Sequence, residues 1–86
     1  MGKERAKLMD EIIMGYTPEQ QKILEAKLPK YLKHDIEALE EGIKNNSHLL
    51  DCLYDEVQGS INIAQINDNV ITDREADFLR KKYLGL

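Results

Sequence analysis

The sequence predicts an all-α fold, a compact bundle of four to five short helices in a single domain. Apolar residues recur three and four apart in nearly every segment, the period of a helix with one buried face. Two capping boxes, Thr17-Pro18-Glu19-Gln20 and Thr72-Asp73-Arg74-Glu75, mark helix starts. Gly15, Pro29 and Asn45-Asn46-Ser47 break the pattern at short intervals. At 86 residues there is room for one core only. A chain of this size buries about 60% of its unfolded surface, so its stability is expected to be marginal.

The first helix is expected over residues 3–15, with Leu8, Met9, Ile12, Ile13 and Tyr16 on one side of the wheel and Lys7, Asp10 and Glu11 on the other. Gly15 stops it. Thr17 then caps a second helix running to about Lys27, with Pro18 at the first helical position, where its missing N–H costs nothing. Pro29 cannot continue that hydrogen-bond ladder and restarts the chain. In the third helix Leu32, Ile36, Leu39 and Ile43 form a narrow apolar stripe, while His34, Glu37 and Glu41 face the opposite way. Asn45-Asn46 ends it and Ser47 caps the next, a short link that favours an antiparallel neighbour.

The fourth helix, His48 to about Ile66, should be central, because Leu49, Leu50, Cys52, Leu53, Tyr54, Val57, Ile61, Ile63 and Ala64 cover half its wheel. Gly59-Ser60 interrupts it and Ile61-Asn62-Ile63 alternates as a strand would, so a hairpin through Asn67-Asp68-Asn69 is the rival reading of residues 59–71. Leu53, Val57, Ile61 and Ala64 keep helical register across the glycine and favour the helix. Thr72 and Glu75 open the last helix, with Ile71 stapled onto Ala76 and with Ala76, Leu79 and Tyr83 on one side. Arg80, Lys81 and Lys82 stand in its last turns, where cations suit the dipole.

Composition excludes several classes of protein. One cysteine permits no internal disulfide, and no Cys/His spacing suits zinc. Apolar runs of about three residues supply neither a membrane span nor a secretory signal. A mature N-terminus and a reducing, cytoplasmic location are therefore expected. The net charge of -4 is unevenly spread. Residues 1–33 and 70–86 are mildly basic, whereas 34–69 carry Asp35, Glu37, Glu40, Glu41, Asp51, Asp55, Glu56 and Asp68 against Lys44 alone.

This charge distribution has three readings: the acidic block as a solvated face, the acidic block as a docking surface for a basic partner, or direct nucleic-acid binding through the basic ends. On helices Glu37 and Glu41 lie one turn apart, as do Asp51 and Asp55. Two carboxylate rows facing one way would then approach the phosphate repeat and suit arginine-rich clefts. Lys27, Lys30 and Lys33 with Arg80, Lys81 and Lys82 are the basic candidates, but no recognition-helix motif accompanies them and tryptophan is absent.

Catalytic signals are weak. His48 and Cys52 share a helix face, yet Cys52 beside the apolar side reads as a small buried hydrophobe. His34, Asp35 and Glu37 do not converge as metal ligands on a helix, and His34 reads as a surface residue. Asp68 to Glu75 resembles the second half of an EF-hand loop, but the first and third ligand positions fall on Ala64 and Ile66, and Asn69 replaces the glycine. No metal, no cofactor and no enzymatic activity are expected.

The stretches Leu49-Leu50-Asp51-Cys52-Leu53-Tyr54-Asp55-Glu56, Ser60-Ile61-Asn62-Ile63-Ala64 and Ala76-Asp77-Phe78-Leu79-Arg80-Lys81-Lys82-Tyr83-Leu84 resemble small, uncharacterised acidic helical proteins of phages and mobile elements of gut Firmicutes. The resemblance implies a context in which small proteins bind and block host machinery, anti-CRISPR proteins among them. The expected function is stoichiometric protein binding. Glu37, Glu40, Glu41, Asp51, Asp55 and Glu56 form the contact set, and the partner is a larger basic protein such as a Cas nuclease. The alternative is an accessory DNA-binding or regulatory module using the basic ends. A homodimer completed through Met9, Met14 or Phe78 is a third possibility.

Overall fold

Threonine hydroxyls cap two of the four described α-helices. In the computed structural model, which describes residues 12–86, helix α1 (Pro18–Ala26) opens at Thr17. The Thr17 hydroxyl accepts from the Gln20 N–H at 3.3 Å, and the Gln20 side chain accepts from the Thr17 N–H at 2.9 Å. Helix α2 (Lys30–Lys44) restarts directly after Pro29. It ends in a Schellman motif, with Asn46 in the left-handed region at φ 54°, Ser47 N–H donating to Gly42 O at 2.8 Å and Asn46 N–H to Ile43 O at 3.3 Å. Helix α3 (Leu50–Asn62) passes through Gly59 and continues as a π-helical turn, Ile63–Asn67, so the hairpin reading of residues 59–71 is set aside. Helix α4 (Asp73–Leu79) carries the second complete capping box, from Thr72 to Glu75, and also continues as a π-helical turn, Arg80–Leu84.

Most of the helix expected over residues 3–15 lies outside the described residues. Its described end is a turn. Ile13 and Tyr16 exchange backbone hydrogen bonds of 3.2 and 2.8 Å around Met14 and Gly15, both at positive φ. Two consecutive left-handed residues make a type I′ turn, which a glycine at the second position favours. Tyr16 therefore leaves the wheel proposed for it and packs on Phe78, ring centroids 4.7 Å apart.

Helices α2 and α3 form an antiparallel hairpin. Near its open end the buried Ser60 hydroxyl donates to Asp35; near its closed end Gly42 faces Leu50 and Leu53. A Cβ at Gly42 would collide with the Leu53 side chain, so the glycine sets how closely the two helices approach there. The stripe along α2 is consequently Leu32, Ile36, Leu39 and Gly42, all buried. Ile43, expected to complete it, is 38% exposed: it sits in the last turn of α2, outside the buried cluster that holds Leu32, Ile36 and Leu39.

The second layer comes from α1, Leu28, Ile71 and α4. Leu24, Leu28, Ile71, Ala76, Phe78 and Leu79 close over Leu32, Ile36, Leu39, Val57, Ile61 and Ala64. Phe78 is fully buried, which removes it from the apolar surface suggested for self-association; Met14 stays partly exposed and Met9 lies outside the described residues. The radius of gyration is 12.9 Å. Among the described residues there is no strand, and no helix is long and apolar enough to cross a membrane.

Candidate functional site

Charged side chains divide by what they touch. Arg80, at the first residue of its π turn and only 17% exposed in its side chain, is held by four acceptors. They are the Gln58, Asn62 and Gln65 side-chain oxygens at 3.1, 2.6 and 2.7 Å and Asp77 at 3.3 Å. Its planar fork thus ties the C-terminal helix to α3 and the π turn that follows. Lys82 pairs with Glu25 and donates to Gln21 Oε1 at 3.2 Å. Lys27 meets Glu75 at 2.7 Å. Lys33 donates to the Ala26 carbonyl at 2.8 Å, capping the end of α1, and Arg74 donates to the Met14 carbonyl at 2.8 Å while lying over the Tyr16 ring. Four of the six residues proposed for nucleic-acid contact, Lys27, Lys33, Arg80 and Lys82, are thus engaged within the fold.

The acidic block divides differently. Two of its eight acids hold structure: Asp35 accepts from Ser60, and Asp68 accepts from the Tyr31 hydroxyl at 2.6 Å. Loss of water and the Asp68 carboxylate push the Tyr31 phenol up to about 12. The other six are Glu37, Glu40, Glu41, Asp51, Asp55 and Glu56, the set selected from the sequence. All six are exposed, and none makes an ion pair with a described residue. Glu41 accepts a long bond, 3.5 Å, from Asn45 one turn on.

These six do not merge into one row. Glu37 and Glu40 line a recess of about 230 Å³ with Glu25, Leu28, Lys33, Ile36 and Tyr83, on the α2 edge of the hairpin, beside α1. Asp55 borders a separate recess with Tyr54, Gln58, Leu84 and Leu86 on the other edge. At 100° per residue Asp51 shares that edge with Asp55, whereas Glu41 and Glu56 point outward between the two edges. The reason is that α2 and α3 spend their facing sides on Gly42, Leu53, Asp35 and Ser60. The expected pair of parallel rows therefore becomes two acidic edges separated by the width of the hairpin.

The inner edge is the more strongly coupled. Partial loss of water raises the Glu40 carboxyl, Glu25 and Glu37 raise it further, and Lys82 opposes them. Tyr83 is raised well above an ordinary phenol by burial first, then by the Glu25 and Glu40 carboxylates and a hydrogen bond to Glu25.

The residues weighed for catalysis or metal binding take simpler positions. Cys52 is exposed, against its expected burial, because it lies on the side of α3 away from Val57 and Ile61; His48 is exposed as well. The His34 ring is 83% exposed and sits 3.8 Å from Asp35, whose carboxylate is turned to Ser60. The EF-hand-like acids are used locally: Asp73 accepts from Gln65 at 3.0 Å, and Glu75 completes the cap and pairs with Lys27. Among the described residues no group of three His, Cys, Asp or Glu is placed to hold a metal. No family model, curated protein or solved structure matches the chain.

Proposed function

We propose that the chain is a stoichiometric protein-binding module whose acidic α2–α3 hairpin docks into a basic, nucleic-acid-binding groove of a larger protein. The mode of action would be that of a phage or mobile-element inhibitor of a host enzyme such as a Cas nuclease. One observation carries the reading: the acids that the fold consumes are Asp35 and Asp68, and the six it leaves without ion pairs to described residues are gathered on one hairpin. Lys30, Lys33 and Lys44 stand on the same hairpin but are outnumbered by Asp35 and these six acids, so the field that an approaching molecule meets there is negative. Carboxylates on both edges suit a groove, whose two walls each carry cations, better than they suit a flat patch. The same consumption of cations weighs against the basic ends as a nucleic-acid surface.

The test is capture from lysate by immobilised protein at low and at high salt, beside the variant Glu37→Lys/Glu41→Lys. The expected result is a basic partner retained at low salt, released at high salt and by added nucleic acid, and lost by the variant while its helical spectrum is unchanged. Retention by the charge-reversed variant contradicts the reading, as does retardation of duplex DNA by the protein alone at low salt.

A further inference from the structure

The recess on the inner edge has a composition that selects among cations. Its lining combines the buried Leu28 and Ile36 and the partly buried Tyr83 with the exposed Glu37 and Glu40, one turn apart on α2. Of the cations nearby, Lys82 is taken by Glu25 and Gln21, and Lys33 is turned to the Ala26 carbonyl. Taking Glu25, Glu37, Glu40, Lys33 and Lys82 together leaves one uncompensated negative charge, which a single monovalent group balances.

We infer that this recess receives one arginine side chain of the basic partner, with its methylene stem on Leu28, Ile36 and Tyr83 and its guanidinium between the Glu37 and Glu40 carboxylates. The inference deepens the docking function above and rests on it. Arginine fits better than lysine for two reasons. A planar fork of five donors reaches two carboxylates spaced along a helix, where an ammonium satisfies them only as a point charge. Guanidinium is also the more weakly hydrated ion, so it gives up less on entering a partly apolar recess. An unlined acidic surface would favour neither.

The probes are the capped peptides hexa-arginine and hexa-lysine, titrated at low salt into the isotope-labelled full chain and followed by NMR. Hexa-arginine should shift the Leu28 and Ile36 methyls and the Tyr83 ring and bind more tightly than hexa-lysine. Glu37→Gln/Glu40→Gln should weaken it about fivefold or more, the scale of one charge-assisted contact, whereas Asp51→Asn/Asp55→Asn should leave those shifts in place. Equal binding of the two peptides, or shifts centred on Tyr54 and Leu84 that only the Asp51/Asp55 variant removes, overturns the arginine recess and leaves acidic docking standing. Failure of wild-type protein to bind either peptide overturns both. Thermal melts of each variant separate lost binding from lost fold.

Discussion

The C-terminal helix and the α2–α3 hairpin are both rich in charged side chains and use them in opposite ways. Arg80 and Lys82 reach across to α3 and α1 and make contacts that hold the layers together. Glu37, Glu40, Glu41, Asp51, Asp55 and Glu56 make no ion pair with a described residue, and the long bond Glu41 accepts comes from Asn45, one turn along its own helix. A charged side chain that bridges two elements is part of the fold, and one that faces water alone costs little to keep and little to change. In a small domain this division separates residues retained for stability from those available for binding.

The largest effect should come from Arg80→Ala, which strips a partner from four acceptors at once. We expect a loss of about 2–3 kcal/mol in urea unfolding, with Arg80→Lys restoring little because one ammonium cannot span Gln58, Asn62 and Gln65. Thr72→Ala removes the hydroxyl of a complete capping box and should cost about 1 kcal/mol by the same measurement. Glu75 is next. Burial alone would raise its carboxyl, but Lys27 and the Thr72 amide outweigh burial and hold it below the usual range. A lowered folded value means stability present above the unfolded carboxylate pKa and lost as pH falls through the folded one. The urea midpoint of wild type should accordingly exceed that of Glu75→Gln near neutrality and converge on it in acid. Smallest should be Asp51→Asn/Asp55→Asn, within about 0.5 kcal/mol of wild type in thermal melts. A large loss there would show that the hairpin acids are structural and would dissolve the comparison.

Much of the fold was legible because its signals are local. Thr17 and Thr72 each find their capping partner within three residues, Pro29 blocks a ladder by itself, and Leu53, Val57, Ile61 and Ala64 hold register through Gly59. What escaped depends on neighbours. The exposure of Ile43 and Cys52 depends on which sides of α2 and α3 the core covers, and Phe78 is buried in a cluster that Tyr16 joins through the turn at Met14 and Gly15. The six acids were selectable from the density of charge between residues 34 and 69. Their division between two edges was not, because a wheel gives the angle of a residue about its own helix and says nothing of where the next helix lies. The inner recess was invisible for the same reason: Tyr83 and Glu25 join Glu37 and Glu40 only through tertiary packing.

The most direct test neutralises all six acids together, as Glu37→Gln, Glu40→Gln, Glu41→Gln, Asp51→Asn, Asp55→Asn and Glu56→Gln, and reads thermal stability and partner capture on the same preparation. The account predicts a melting temperature equal to or above that of wild type, since like charges are removed, and loss of capture at low salt. Capture retained with the acids gone, or a domain that no longer folds, would contradict it.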